Sequence, residues 1–326
     1  MKIIVIGLGS MGRRRIRLLR QYDESFEIIG VDCDLERRME VAHDYGIEVY
    51  SSISECEDNA DVAFVCTSPL SHQSVISECL HKNLHVFTEL NLISDGYADN
   101  LKLAEMNNVK LFLSSTFLYR DEIKYIDNRV QHTSGSVDYI YHVGQYLPDW
   151  HPWENVQDFF VSDKRTNGCR EIFAIELPWI QKVFSPIKNI QVKKSKITKL
   201  GMEYDDNYLV LIEHENGNRG MLAVDVVSRK AVRNLEIYGE NIYLKWDGSP
   251  TGLVDYDIDT KEDKNVHLYS EVDRIEGYST FIIENAYMNE IKAFFKHIKN
   301  EGMPLYGFEE DLTTLKWIDE IEGVYV

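Results

Sequence analysis

Three glycines near the start of the chain have the spacing of a phosphate-binding turn. The stretch GLGSMG follows the apolar run KIIVI directly and contains Gly7, Gly9 and Gly12. In such a turn the first glycine permits the tight bend, the second lets the backbone approach a pyrophosphate, and the third allows close helix–strand packing. Apolar residues recur at helical spacing in the next segment, RRRIRLLRQY, so the phosphate is expected at a helix N-terminus. We therefore predict a dinucleotide site that includes Gly7, Leu8, Gly9, Ser10, Met11 and Gly12.

An acidic residue stands where a dinucleotide site needs one. The second apolar run, FEIIGV, ends at Asp32, about 20 residues after the third glycine, which is the usual spacing. A carboxylate there bonds the adenosine ribose hydroxyls and repels a 2′-phosphate, so NAD is predicted in preference to NADP. Arg37 and Arg38 keep NADP open as the less favoured cofactor, although both also fit a solvated helix face. Of Arg13, Arg14 and Arg15, at least two are expected to face water.

Strands and helices then alternate up to about residue 115. DVAFVCTSP, LHVFTEL and VKLFLSS have the character of buried strands, and two helical segments separate them. Repeated strand–helix units predict a doubly wound parallel sheet, in which ligands bind beyond the carboxyl ends of the strands. That rule adds Thr67, Ser68, His72 and Glu89 to the predicted cofactor site.

The middle of the chain has the residue types of a sugar site. The stretch YIYHVGQYLPDWHPWENVQDFF mixes aromatic rings with hydrogen-bonding groups, which suits the apolar faces and polar edges of a sugar. Tyr146, Asp149 and Trp150 are the substrate candidates, although the tryptophans also fit a hydrophobic seam. Histidine is the natural acid–base group near neutral pH, so His151 and His142 are catalytic candidates. His151 and Glu154 are metal ligands by type, but no third ligand has recognisable spacing, so no metal site is predicted.

A basic group and an alternating region complete the second half. Lys164, Arg165 and Arg170 surround Gly168 and suggest an anionic group on the substrate, although ordinary surface residues would look the same. From Asn189 to Trp246 the chain alternates as strands do, and it offers more apolar face than one layer of helices covers. We therefore expect a homodimer or homotetramer that associates through this sheet.

Composition limits the function classes. The 326 residues are 44% hydrophobic and carry a formal net charge of −19, which disfavours binding to nucleic acid or an anionic membrane. No apolar run approaches the roughly 20 residues that span a bilayer. The five cysteines show no metal-type pairing, and MKIIVIGLGS fits a first strand better than an export signal. A cytoplasmic location is expected.

These features together resemble the Gfo/Idh/MocA family of sugar and polyol oxidoreductases. The residues that carry the resemblance are GLGSMG, Asp32, TSPLSH, HVFTEL and the closing stretch AYMNEIKAFFKHIKNEGMPLYGFEEDLTTLKWIDEI. The resemblance implies a Rossmann domain followed by an α/β domain with a large, mostly antiparallel sheet. The strand pattern alone places the boundary near Tyr119, which gives domains over residues 1–119 and 120–326. The resemblance further implies an NAD-dependent oxidoreductase of a sugar or sugar derivative, with surface-polysaccharide biosynthesis as one setting. It also places Tyr119 and Arg120 where the family approaches nicotinamide and substrate.

The chain departs from the family pattern at two places. Where the family usually has Glu-Lys-Pro, this chain has Glu89, Leu90 and Asn91, and leucine cannot move a proton. The family's aspartate and histidine slots fall near Ile172 and Glu176, and the acids present are Glu171 and Glu176. An i, i+5 pair does not share a helix face, so the two are not expected to serve one site from a regular helix. A catalytically lapsed NAD-binding sensor or regulatory protein is therefore the alternative function.

Overall fold

The structure is a computed structural model that describes residues 1–56, 60–150, 155–273 and 281–324. It divides into two compact units. The first contains Met1–Ser115 and Tyr287–Leu312, and the second contains Thr116–Ala286 and Thr313–Val326. The first unit thus includes residues 287–312, which lie beyond the predicted domain boundary at residue 119.

Strands and α-helices alternate in the first third of the chain, and strands dominate the middle. The strands are β1 Lys2–Ile6, β2 Glu27–Val31, β3 Glu48–Tyr50, β4 Val62–Val65, β5 His85–Thr88, β6 Leu111–Leu113, β7 Asp138–Gly144, β8 Ile187–Ser195, β9 Asn207–His214, β10 Arg219–Asp225, β11 Val232–Gly239, β12 Ile242–Trp246, β13 Leu253–Asp257 and β14 Glu262–Asn265. The helices are α1 Ser10–Tyr22, α2 Leu35–Tyr45, α3 His72–His81, α4 Tyr97–Met106, α5 Asp121–Gln131, α6 Gly168–Phe184, α7 Glu284–Ile298 and α8 Phe308–Glu322.

The first unit is built on a parallel sheet. Its order is β3-β2-β1-β4-β5-β6, and every pairing in it is parallel. The direction of winding reverses between β1 and β4, which is the switch point where doubly wound sheets bind ligands. The predicted doubly wound parallel sheet is confirmed.

Aromatic packing explains why residues 287–312 belong to the first unit. The Phe294 ring of α7 lies 5.5 Å, centroid to centroid, from each of Phe64, Phe87 and Phe112, which come from three neighbouring strands. Edge-to-face pairs of this kind add to the free energy of burying the rings. The helix therefore covers one face of the parallel sheet.

The second unit is built on a mostly antiparallel sheet, as predicted. Its order is β14-β13-β12-β11-β7-β10-β9-β8, and β7 with β10 is the parallel pair. Helix α6 covers the inner face: the Tyr139 ring stacks on Phe184 at 4.2 Å, and Tyr141 meets Trp179 edge-on at 5.5 Å. Large apolar side chains remain exposed on the outer face, namely Ile140, Leu209, Leu211, Met221 and Tyr238.

None of the helices in the described ranges combines the length and the apolar character that a bilayer crossing requires.

Candidate cofactor and substrate sites

The three glycines of the N-terminal turn differ in what surrounds them. Gly7 has a φ of +90°, and a Cβ there would lie 2.6 Å from the carbonyl oxygen of Cys66. A Cβ on Gly12 would lie 1.9 Å from the carbonyl oxygen of Gly7. At Gly9, by contrast, a Cβ would meet no described heavy atom within 4 Å. The fold itself requires Gly7 and Gly12, whereas the bare backbone at Gly9 faces open space that a ligand can enter.

The N-terminus of α1 opens onto the same space. Gly9 is the N-cap, no described side chain caps this helix end, and its first turn contains no acid. The amide dipoles at such an end favour an anion, and phosphate is the anion that glycine-rich turns accept. The turn and helix therefore fit a dinucleotide diphosphate in geometry and charge.

Asp32 is fixed beside the turn. One carboxylate oxygen accepts from the Leu8 amide at 2.7 Å, and the other accepts from the Asp34 amide at 2.9 Å. Each oxygen keeps a second lone pair for a ribose hydroxyl. The Arg38 guanidinium donates to the Asp32 carbonyl oxygen at 2.6 Å, so this arginine bonds the backbone of the turn. The Asp32 carboxylate thus has the position that a ribose-binding acid needs.

The predicted residues after β4 have different environments. Ser68 is exposed and Thr67 is half-buried, whereas His72 is buried between two carbonyl groups. Its Nε2 lies 2.9 Å from the Thr67 carbonyl oxygen, and its Nδ1 contacts the Asn91 side-chain amide. Burial lowers the pKa of His72, and the neutral ring has one N–H, so it can donate to only one of these two oxygens. His72 therefore ties the ends of β4 and β5 together and leaves Thr67 and Ser68 as the accessible groups.

Two of the three consecutive arginines at the start of α1 are buried, contrary to expectation. Arg14 and Arg15 are both buried, so the expectation that at least two of the three face water is wrong. The Arg14 guanidinium lies 4.6 Å from the centre of the Tyr287 ring, and that of Arg15 lies 4.4 Å from the Phe87 ring. Aromatic faces make the burial of both guanidinium groups tolerable, and Arg15 also has acidic partners; neither is visible in the local sequence.

Arg15 joins two carboxylates inside the first unit. Its Nε and Nη2 donate to Glu89 at 2.6 and 3.1 Å, and Nη2 also donates to Glu290 at 2.7 Å. Glu290 additionally accepts from the Ser114 hydroxyl at 2.9 Å and from the Ser115 amide at 2.8 Å. The Arg15 and Glu290 side chains are fully buried, and that of Glu89 is 12% exposed. The glutamate beside Leu90 is therefore part of a buried ionic cluster.

In the second unit, Glu176 is the centre of a buried network. It accepts from Tyr141 Oη at 2.8 Å, Trp179 Nε1 at 2.6 Å and Arg233 Nη2 at 2.5 Å. The carboxylate is fully buried and has donors on both oxygens. Removing one partner of such a pair leaves an unpaired buried charge, so this network stabilises the sheet side of α6.

Glu171 has the opposite surroundings. Its Oε2 is buried and has no hydrogen-bond partner in the described part of the chain, and the same holds for the hydroxyl of Tyr204. Burial raises the pKa of Glu171 to about 7. Glu171 and Glu176 therefore occupy separate environments, as the i, i+5 spacing predicts.

His142 lies on the other face of the sheet from the Glu176 network. Side chains alternate along β7, so Tyr141 meets α6 while His142 faces outward, half-exposed. Its Nε2 lies 2.7 Å from Asp225 Oδ2. Burial alone would raise the pKa of Asp225, but bonds from His142, Val227 and Ser228 outweigh it and lower that pKa. His142 and Glu176 are thus separated by the sheet and do not act on one group together.

Several predicted substrate residues are anchored within the fold. Arg120 is buried, bonds both oxygens of Glu122 at 3.1 and 2.7 Å, and donates to the carbonyl oxygens of Phe281 and Gly248. Arg170 bonds Asp319 at 2.7 Å and Glu322 at 2.5 Å. Tyr119 is buried as well.

The other substrate candidates are more accessible. Lys164, Arg165 and Asp149 are exposed, and Trp150 is half-buried. The Tyr146 ring is also half-buried and lies under the Arg229 guanidinium at 4.0 Å. His151 and Glu154 lie outside the described residues. No cluster of three potential metal-ligating His, Cys, Asp or Glu side chains occurs in the described ranges.

Sequence reasoning missed the partners that complete these clusters. Arg15, Glu290, Tyr141 and Arg233 were not predicted as site residues, and the bonds they make join strongly separated parts of the chain. The basic run RRR and the strand alternation gave no signal of them.

Comparisons with known proteins agree with this geometry. Residues 1–113 match the model of a family described as an oxidoreductase family with an NAD-binding Rossmann fold. A myo-inositol 2-dehydrogenase from Thermotoga maritima is 24% identical over 95% of this chain and 92% of its own length. A levoglucosan dehydrogenase solved with NADH superposes with a TM-score of 0.79 at 13% identity, over 99% of this chain and 96% of that one. A UDP-N-acetylglucosamine 3-dehydrogenase from Acidithiobacillus ferrooxidans gives 0.75 at 16% identity, over 98% and 96%. The levoglucosan dehydrogenase and the UDP-N-acetylglucosamine 3-dehydrogenase therefore have the same fold as this chain.

Proposed function

Because the chain belongs to the Gfo/Idh/MocA family of oxidoreductases, we propose that it is an NAD-dependent dehydrogenase or reductase of a sugar or sugar derivative. It acts in the cytoplasm as a homodimer or homotetramer, and surface-polysaccharide biosynthesis is one setting for such a reaction. The observation that carries this proposal is the open backbone at Gly9, beside the uncapped end of α1 and the Asp32 carboxylate.

NAD is the proposed cofactor, with NADP the weaker ligand. The turn from Gly7 to Gly12 would hold the diphosphate, and Asp32 would bind the adenosine ribose hydroxyls. A 2′-phosphate would meet the Asp32 carboxylate, while Arg38, the nearest candidate to neutralise it, bonds the Asp32 carbonyl oxygen.

Titration calorimetry with both dinucleotides tests the cofactor. Wild type should bind NAD more tightly, and Asp32→Ala should weaken NAD and narrow the difference. Glu48→Ala, an exposed acid on the neighbouring β3, is the matched control and should leave the preference unchanged. Tighter binding of NADP by wild type would contradict the assignment.

A cyclic polyol or sugar is the proposed substrate class. The relatives are dehydrogenases of myo-inositol, levoglucosan and a UDP-sugar, all of which carry a secondary hydroxyl on a six-membered ring. The accessible Tyr146 ring, Trp150, Lys164 and Arg165 are the proposed substrate groups, and the two cations would suit an anionic substituent.

The chemistry proposed is reversible hydride transfer between a ring carbinol carbon and nicotinamide. The cofactor supplies the hydride acceptor when bound. Leu90 has no acid–base group, so the hydroxyl proton requires another residue. We assign this role to His151, with Asp149 near enough in sequence to orient it.

A lapsed enzyme that binds NAD as a sensor is the second candidate function. Two observations favour it: Leu90 stands in the usual lysine position, and Glu176, near the usual histidine position, is locked by Arg233, Tyr141 and Trp179. A network with every oxygen engaged is poorly suited to exchange protons with a substrate.

Absorbance at 340 nm separates the two. The protein is incubated with NAD and a panel that contains myo-inositol, levoglucosan, UDP-N-acetylglucosamine and uronic acids. NADH formation with one class identifies an enzyme and its substrate. Tight NAD binding with no turnover across the panel, in both directions of reaction, would favour the sensor.

A further inference from the structure

His72 lies beneath the turn that follows β4 and contacts it directly. Its Nε2 lies 2.9 Å from the Thr67 carbonyl oxygen, and its Nδ1 contacts the side chain of Asn91, which follows β5. His72 is 3% exposed and Asn91 is 2% exposed, so water does not replace these contacts. The His72 ring therefore bridges the turn after β4 and the segment after β5.

Asparagine is well suited to hold this ring. The end of its side chain offers a carbonyl oxygen and an NH2 group at the same reach, so it can pair with Nδ1 whether that nitrogen donates or accepts. This chain has Asn91 where the family pattern Glu-Lys-Pro has proline, which has no side-chain hydrogen-bonding group. The departure from the pattern at position 91 thus adds a contact to His72 that proline cannot make.

Asn91 in turn lies beside a buried polar cluster. Burial and Asp311 raise the pKa of the Tyr97 phenol and Asn91 opposes that rise, which places the Asn91 amide next to Tyr97. The Tyr97 hydroxyl donates to Asp311 at 2.5 Å, and the Tyr306 hydroxyl donates to the other carboxylate oxygen at 2.9 Å. Asp311 is fully buried. These bonds anchor one end of a series of contacts whose other end is the Thr67 carbonyl group.

The turn that His72 supports packs against the glycine-rich turn. A Cβ on Gly7 would lie 2.6 Å from the Cys66 carbonyl oxygen and 2.8 Å from the Thr67 amide nitrogen. Asp32 follows β2 and marks the adenosine half of the site. The nicotinamide half therefore falls to the ends of β4 and β5, on the other side of the switch point. The turn at Thr67 is thus placed to meet the nicotinamide nucleotide.

We propose that His72 and Asn91 are positioning residues, which hold the Thr67 turn where the nicotinamide nucleotide of the bound cofactor meets it. This inference rests on the proposed function. His72 serves the cofactor through the Thr67 backbone and not as a direct ligand, and Asn91 acts through His72. Because the turn is fixed before binding, the cofactor does not have to order it, and this strengthens binding.

The expected effect is confined to one half of the cofactor. NADH meets both halves of the site, whereas ADP meets only the groups for adenosine and diphosphate. Asn91→Ala removes the contact to His72 and should raise the NADH Kd about 3- to 10-fold, which is the factor that one hydrogen bond typically contributes. The ADP Kd should change by less than about twofold. A merely structural role would lower the unfolding temperature and leave the ratio of the two Kd values unchanged.

Titration calorimetry with NADH and ADP, together with thermal unfolding, makes this measurement. Asn100→Ala is the matched control, because Asn100 is also a buried asparagine and donates to a backbone carbonyl oxygen, that of Gln73, at 3.2 Å. It lines the same cavity of about 10 Å³ as His72 and Asn91. Asn100→Ala should lower the unfolding temperature and keep the wild-type ratio of the NADH Kd to the ADP Kd.

Asn91→Ser covers the case in which Asn91→Ala does not fold. Serine keeps a polar group at this buried position but has a shorter reach toward His72, so the Kd ratio should rise here as well. A double variant tests whether the two residues act along one path. Asn91→Ala combined with His72→Ala should raise the ratio no more than His72→Ala alone, because the ring through which Asn91 acts is absent.

Three results would overturn the proposal. They are an unchanged Kd ratio in whichever Asn91 variant folds, a ratio that rises equally in Asn100→Ala, and additive effects of the His72 and Asn91 substitutions. Failure of wild type to bind NADH would instead overturn the proposed function, and this inference with it.

Discussion

Replacing Gly9 by alanine adds a single methyl group, which should weaken cofactor binding and leave the stability of the fold nearly unchanged. The added Cβ meets no described heavy atom within 4 Å, and the Gly9 φ of −72° suits any residue. Alanine is a poorer N-cap than glycine, but it also lowers the entropy of the unfolded chain, and the two effects oppose each other at about 1 kcal/mol each. The free energy of unfolding should therefore change by less than about 1 kcal/mol.

The effect on the cofactor should be much larger. A methyl group in the open space at Gly9 keeps the diphosphate from the backbone amides, and a hydrogen bond to a charged group contributes about 1.5–3 kcal/mol. Loss of one such bond weakens NADH about 10- to 150-fold. Gly302→Ala is the control, because a Cβ there is 4.0 Å from its nearest neighbour and Gly302 is not among the left-handed glycines.

Fluorescence titration with NADH and thermal unfolding together decide the question. Gly9→Ala should unfold near the wild-type temperature and bind NADH weakly, while Gly302→Ala should match wild type in both. If a folded Gly9→Ala variant keeps its NADH affinity within about threefold of wild type, the diphosphate does not approach Gly9 and the site assignment fails.

Three further predictions follow from the second half of the chain. Leu211→Lys on the outer face of the sheet should turn the expected dimer or tetramer into smaller species by light scattering at micromolar concentration, whereas Ile258→Lys, also exposed, in the turn after β13, should not. A wild-type monomer would refute the interface. Glu171→Gln should raise the free energy of unfolding at pH 8 by about 1–3 kcal/mol in urea unfolding. The folded-state pKa of Glu171 near 7 makes wild type lose stability as pH rises from about 4.5 to 7, so the gain should be absent at pH 4. The exposed Glu301→Gln should show no gain at either pH. His151→Ala should lower the turnover number about 100- to 10,000-fold with NAD affinity unchanged. Unaltered turnover would reject His151 and leave His142 and Glu171 as the remaining acid–base candidates.

The first unit could be predicted from sequence because its signals are local. KIIVI, GLGSMG and FEIIGV lie within about 30 residues, and each glycine has a separate steric reason that the motif states in advance. Asp32 needs only its distance from the turn, and the alternation of strands and helices sets the parallel sheet. The aromatic contacts that place α7 on this sheet are long-range, so local patterns could not predict that residues 287–312 belong to the first unit.

The charged clusters could not be predicted for a related reason. A basic stretch such as RRR is normally a solvated helix face, because an isolated charge is too costly to bury. Arg15 is buried only because Glu89 and Glu290 meet it from positions 74 and 275 residues away. The same applies to Glu176, whose partner Arg233 lies 57 residues further along the chain. The identity of a residue sets whether it can be charged, but its partners decide where that charge can lie.

This distinction changes what Leu90 implies. Judged by the lysine alone, the substitution removes the proton route and points to a lapsed enzyme. The adjacent Glu89 is nevertheless held by Arg15 and coupled through it to Glu290. Leucine at position 90 has no acid–base group, but the ion pairs that hold Glu89 do not involve that position. The loss of lysine therefore removes one acid–base group while the ionic cluster beside it is intact, so turnover across a substrate panel, rather than the motif alone, separates an active enzyme from a sensor.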